Sequence, residues 1–129
     1  MSISDPATLT VNAVPKALNR ISFDGNSSSY RLRSSTDEFT LNIRNTSYTR
    51  SSSKAGAPGK LVYRHNAEFV QTVYAVAPST ANTTRRAYVV IENEQGDTLA
   101  DPTYVAAALL AFLTASSNAN IAKMLNDES

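Results

Sequence analysis

Apolar residues return at every second position along most of this chain and then, beyond Asp101, at every third or fourth. The first pattern belongs to a strand with one covered and one wet face, the second to a helix. The chain therefore has to build antiparallel strands first and helices afterwards, an α+β arrangement. ATLTVN (7–12) is a short alternating run that meets a turn at Asn12–Pro15, and Ala17–Phe23 alternates again. Asp24, Gly25 and Asn26 signal a turn. Tyr30 and Leu32 then alternate with Arg31 and Arg33, and Phe39, Leu41 and Ile43 with Thr40, Asn42 and Arg44. Residues 50–60, RSSSKAGAPGK, read as a loop. The run Leu61–Val76 exceeds an ordinary strand, so a bend or break is expected near Val70. A loop at 77–84 leads to a strand over 86–94. Asp101 is placed to cap a helix and Pro102 to open it. Val105, Leu109, Phe112 and Leu113 make its apolar stripe, Ser116–Asn118 interrupt it, and Ile121, Met124 and Leu125 support a second helix. The expected order is six or seven strands and then two helices.

The cover for such a sheet is in short supply. Only about 25 residues read as helical, and they are apolar over a broad arc. One helix pair can scarcely cover the sheet and hide its own second side. A dimer whose helices cross onto a partner solves both problems and can also pair an edge strand.

Composition removes most enzymatic classes. The chain has 129 residues, one domain's worth, with 42% hydrophobic content for a core. It has no cysteine and 1 histidine, which excludes disulfide scaffolds, thiolate zinc sites, cysteine nucleophiles and multi-histidine metal sites. No phosphate loop or dinucleotide fingerprint occurs, and the serine runs at 27–29 and 51–53 lack a nucleophile elbow. Glu92, Glu94, Asp97 and Asp101 could meet a divalent cation, but their spacing is not that of an EF-hand. The sequence calls for no cofactor and no metal. His65 falls on the apolar parity between Tyr63 and Ala67, which predicts a packed, hydrogen-bonded histidine; a small enzyme using it as a base is the competing reading. No apolar run approaches the ~20 residues of a membrane helix. MSISDPATLT has neither the charged nor the apolar part of a signal peptide, so the expected product is soluble and made in the cytoplasm, with no membrane partner.

The charge is polarised. Eleven of the 12 Lys and Arg fall within residues 16–86 against four acids, whereas residues 87–129 carry six acids against Lys123 alone. If the strands pair as their alternation implies, one face collects Arg31, Arg33, Thr40, Asn42, Arg44, Arg64, Asn66 and Tyr88. Arginine offers phosphate a planar fork of donors, Asn and Thr can bond base edges, and an exposed Tyr ring is a stacking platform. The face reads either as an RNA-binding surface or as a merely solvated sheet.

EFTLNIRN (38–45), YRHNAEFVQTVYA (63–75) and RRAYVVIENEQGD (85–97), in this element order, resemble the coat proteins of single-stranded RNA bacteriophages, the leviviruses, those of Caulobacter phages in particular. The resemblance covers essentially the whole chain. It implies one domain, 1–129, with an N-terminal β-hairpin (1–24), a five-stranded antiparallel sheet (28–94) and two C-terminal α-helices (101–126). It also implies an interlocked homodimer, with helices across the partner's sheet and the sheets joined edge to edge. Such dimers assemble into an icosahedral shell, typically of about 180 subunits, with the sheet facing the viral RNA. The implied locations are the virion and, during synthesis, the bacterial host cytoplasm. Family dimers also bind an RNA hairpin that represses replicase translation. By resemblance Thr40, Asn42 and Arg44 match positions contacting hairpin bases and phosphates, Arg64 a basic position on the next strand, and Tyr88 a base-stacking tyrosine. The loop 77–84 matches the one gathered around the shell's symmetry axes. Two departures stand out: Val90 where some relatives are polar, and Glu38 where some are basic. The alternative of another class is a cellular RNA-binding dimer that forms no shell.

Overall fold

The computed structural model describes residues 2–52 and 54–129; Met1, and Ser53 within the loop expected at 50–60, lie outside the described residues. Its elements are β1 (Ala7–Val11), β2 (Val14–Phe23), β3 (Ser27–Arg33), β4 (Asp37–Arg50), β5 (Lys60–Val73), β6 (Thr83–Glu94) and α1 (Ala100–Leu125). All strands pair antiparallel with their sequence neighbours, giving a 6-stranded sheet in the order β1–β6. The expected separation into a hairpin and a five-stranded sheet is thus corrected. β2 serves both: Val14–Leu18 pairs with β1, and beyond it Asn19–Phe23 pairs with β3. The register with β3 shifts between Arg20 and Ser22, just inside the part of β2 that pairs with it. Asp24 closes the next turn, its Oδ1 accepting from the Asn26 and Ser27 amides at 3.1 and 2.7 Å. These bonds hold its carboxyl below the usual range, the Ser27 contacts most of all.

The break expected near Val70 is absent. β5 is continuous over Lys60–Val73 and keeps one register with β4 on one side and β6 on the other. A strand with a full ladder on both edges has no free edge at which to break. β4 likewise runs past Ile43 to Arg50, where its residues are polar on both faces.

Alternation and register define two faces. The first carries Tyr30, Leu32, Phe39, Leu41, Ile43, Ala67, Phe69, Val89 and Ile91. The β1–β2 hairpin curls over one end of it. Ala7 and Leu18 join Tyr30, Phe39 and Leu41 in the buried core, and the Lys16 ammonium stands over the Phe39 ring at 5.3 Å. Phe39 and Phe69 stack with centroids 5.7 Å apart. Arg20 seals the rim, with its guanidinium over the Phe23 and Tyr30 rings and its Nη2 donating to the Ile3 carbonyl at 2.7 Å.

The helical segment α1 spans Ala100–Leu125 as one element, but it is broken where the sequence interrupts the stripe: Ala115 is extended and Ser116, Ser117 and Asn118 have φ of 53°, 58° and 67°, so two helical arms flank a kink. Asn120 closes the kink by donating to the Phe112 carbonyl at 2.7 Å. Two features depart from expectation. Asp101 is in the first turn rather than at the cap. It pairs reciprocally with Thr98, whose hydroxyl accepts from the Asp101 amide at 3.2 Å and donates to its carboxylate at 2.7 Å. No residue of α1 is buried, and Val105, Leu109 and Phe112 stand exposed beside β6. By length and composition α1 could cross a membrane. The kink leaves 100–114 as its longest straight run, about 22 Å at the helical rise, short of a hydrocarbon core of about 30 Å.

Candidate nucleic-acid interface

The second sheet face is organised in rows that cross the strands. One row is Ser29–Asn42–Glu68–Tyr88; the next is Ser27–Arg44–Asn66–Val90; the next is Thr46–Arg64–Glu92. On the other side of the first lie Arg31–Thr40–Val70–Arg86 and then Arg33–Glu38–Thr72–Thr84. All eight residues singled out from the sequence therefore share this face. Their electrostatic situations differ.

Arg44 and Arg64 are exposed diagonal neighbours on β4 and β5, and among the described residues neither has a carboxylate within 4.0 Å. Half-buried Asn66 lies directly opposite Arg44, and the Tyr88 ring, 64% exposed, stands on β6 one row away. Arg31 and Arg33 instead turn their Nε atoms to Glu38, at 3.9 and 3.5 Å. Asn42 has both ends of its amide engaged: Oδ1 accepts from the Ser29 hydroxyl at 2.9 Å, and Nδ2 donates to Glu68 at 3.4 Å. Glu68 also faces Arg86 at 3.6 Å.

The candidate site read from the sequence leaves out a set of acids. Glu38, Glu68, Glu92 and Glu94 all lie on the same face as the arginines, where alternation puts them. At the far end Arg50 and Lys60 meet Glu94 at 3.1 and 2.9 Å. The Lys60 hydrogen bond and charge, with a further contribution from Arg50, hold the Glu94 carboxyl below its ordinary value. The Tyr48 hydroxyl donates to Glu92 at 3.2 Å. Val62 is the one fully buried side chain on this face among the described residues, lying between Tyr48 and Glu94 in register.

His65 occupies the expected face but is exposed rather than packed. Its Nδ1 lies 2.7 Å from Asn45 Oδ1 and its Nε2 3.0 Å from Asn93 Oδ1. It lines a cavity of about 400 Å³ between the sheet and Leu99, Pro102, Ala106 and Leu110 of the helical segment. Parity set its face correctly, but nothing among the described residues covers it. Thr103 also lines the cavity, its hydroxyl donating to the Leu99 carbonyl at 2.8 Å.

A family description, phage phiCb5 coat protein, matches residues 4–94. Among solved structures, the virus-like particle of Beihai levi-like virus 21 is similar, with a TM-score of 0.66 over 100% of this chain and 97% of that one. At 18% identity that likeness shows the fold. No curated protein matches the chain.

Proposed function

The chain belongs to the phage phiCb5 coat protein family, a levivirus-type capsid protein, and we propose that it dimerises, assembles into an icosahedral virion shell and packages single-stranded viral RNA against its polar sheet face. The role is structural, not enzymatic. Two unsatisfied features support the dimer. β6 is an edge strand, so one side of its backbone over Thr83–Glu94 lacks a ladder partner. The apolar residues of α1 are exposed, and a cavity of about 440 Å³ separates Ala67, Phe69 and Val89 from Leu113, Ile121 and Met124. Two copies joined along β6, each laying its helix over the other's sheet, close both defects. About 180 such chains would form a quasi-equivalent shell. Synthesis and assembly take place in the host cytoplasm.

The observation that carries the RNA reading is the wet patch where Arg44, Arg64, Asn66 and Tyr88 meet on three strands. Two guanidiniums with no carboxylate within 4.0 Å among the described residues can hold phosphates, the amide can bond a base edge, and the phenol ring can stack. Thr40 and Asn42 extend the patch toward β3, and Arg31 and Arg33 mark its rim. Hairpin binding at a replicase start would be one use of this patch, with translational repression as its consequence.

Electron microscopy of the protein expressed alone tests assembly: shells containing host RNA are expected. Stable monomers at micromolar concentration would overturn dimer and shell together, and dimers without shells would favour the cellular RNA-binding alternative. Filter binding of dimers to RNA across a salt series tests the face. Arg64→Ala should weaken binding and flatten the slope of log affinity on log salt by about 0.7. Tyr88→Ala should lose ~1–3 kcal/mol with the slope nearly unchanged.

A further inference from the structure

We propose that Glu38 is a built-in competitor for RNA, occupying Arg31 and Arg33 so that phosphate binding is concentrated on Arg44 and Arg64. The inference rests on the RNA reading of this face and adds a specificity-determining residue to it. Glu38 stands directly opposite Arg33 in the β3–β4 ladder, with Arg31 one row along on the same face. Its two oxygens are divided between the two arginines: Oε1 is 3.9 Å from Arg31 Nε and Oε2 is 3.5 Å from Arg33 Nε. The Tyr74 hydroxyl also donates to Oε2, at 3.1 Å. The carboxylate is the sheltered member of the cluster, its side chain 21% exposed against 40% and 58% for the arginines. Burial first, and the Glu38 bond second, raise the Tyr74 phenol above its usual value, so the hydroxyl stays a donor to the carboxylate.

A carboxylate and a phosphate oxygen ask the same thing of a guanidinium. Glu38 is tethered beside its arginines, so its effective concentration there exceeds that of any phosphate arriving from solution. RNA reaching this corner has to displace it and leave a half-buried carboxylate without its counter-ions. Among the described residues no carboxylate lies within 4.0 Å of Arg44 or Arg64; Glu92, opposite Arg64 in the β5–β6 ladder, accepts instead from the Tyr48 hydroxyl at 3.2 Å. The face thus holds five arginines in this region, Arg86 being turned to Glu68, but offers phosphate only Arg44 and Arg64 freely. The result is a narrower footprint and weaker binding to arbitrary RNA than the arginine count implies.

The test is a salt series with full-length dimers and a fluorescently labelled oligouridylate, for the wild type, Glu38→Gln and Glu128→Gln. Glutamine keeps the length of the side chain and its bond to Tyr74 but gives up the charge. Glu38→Gln should bind roughly tenfold tighter at about 0.1 M salt and converge on the wild type near 1 M, its slope steeper by about 0.7 for each phosphate newly held. Glu128→Gln makes the same change in net charge beyond α1 and should leave the slope unchanged. Should the glutamine variant not fold, Glu38→Asp reads the same quantity: its carboxylate, drawn back by one methylene, cannot reach both arginines, and an intermediate gain is expected. Wild-type affinity and slope in the variant that folds, or weaker binding, would overturn the role of Glu38 while leaving the RNA reading intact. A wild type that fails to bind oligouridylate at low salt would overturn both.

Discussion

One face of the sheet is finished at one end and open at the other. Under the β1–β2 hairpin, Leu18, Tyr30 and Phe39 are 0%, 0% and 2% exposed; on α1, Leu109, Phe112 and Met124 are 55%, 62% and 60% exposed. The residue types are alike, so hydrophobicity does not separate the two ends. What separates them is the source of the cover. A hairpin adjacent in sequence can curl back over its own sheet, whereas α1 stands beside β6 with its apolar stripe uncovered. Exposed apolar surface of this extent is the mark of an interface. The difference teaches that folding and assembly draw on separate parts of one hydrophobic face, and that substitutions at the two ends should fail differently.

The strongest test of that separation is at the finished end. Phe39 is buried against Phe69, with Lys16 over its ring. Phe39→Ala should cost ~3–5 kcal/mol by leaving a cavity. The loss should appear as unfolding of the strands themselves, read by circular dichroism in dilute and concentrated samples alike. A variant with normal strand signal but failed assembly would place this end in the interface and erase the distinction.

At the open end Phe112→Ala should cost association about 2 kcal/mol, the scale of an interface anchor. Sedimentation should show dimers giving way to subunits on dilution, with melting that depends on protein concentration. Amide exchange in β3 and β4 should remain as slow as in the wild type. Equal loosening of β3 and β4 in the variant would mean that α1 covers its own chain.

His65 stands at the same open end, bridging Asn45 on β4 and Asn93 on β6. His65→Gln can keep one of these bonds, so assembled particles should lose about 1 kcal/mol and isolated subunits almost nothing. A thermal melt of particles and subunits side by side reads the difference. Equal losses in both would show that the histidine is already packed within one chain.

These contrasts also mark what the sequence could reveal. Alternation exposed the strands and assigned Arg44, Arg64 and Tyr88 to one face, because side-chain parity is a local property. It could not show β4 running on to Arg50, where Asn45 to Thr49 are polar on both faces and carry no parity signal. Nor could it show that Arg31 and Arg33 meet Glu38, which depends on the register of a neighbouring strand. The exposure of His65 and of the α1 stripe was out of reach for another reason: periodicity names the face to be covered, not the body that covers it. The kink was visible as Ser116, Ser117 and Asn118 interrupting the stripe, though not as three left-handed residues.

The smallest effect expected decides how α1 ends the open face, and its sign is more informative than its size. Ser116 and Ser117 hold φ of 53° and 58°, a region that costs an L-residue about 1 kcal/mol or more and glycine almost nothing. Ser117→Gly should therefore stabilise the protein by about 1 kcal/mol. In a straight helix the same change would destabilise by about 0.5 kcal/mol, since glycine is the poorer helix former there. The direction of the melting shift thus tells a built turn from a continuous helix. A turn sends 119–125 back toward Phe112, whose carbonyl Asn120 already holds, and keeps the apolar ends of both arms on one side. A straight α1 would carry Ile121 and Met124 away from the sheet and leave the cavity beside Phe69 with one wall fewer. Stabilisation by Ser117→Gly with shell yield retained would fit a turn made before assembly. A drop in both would mean that the straight helix is the form the shell uses.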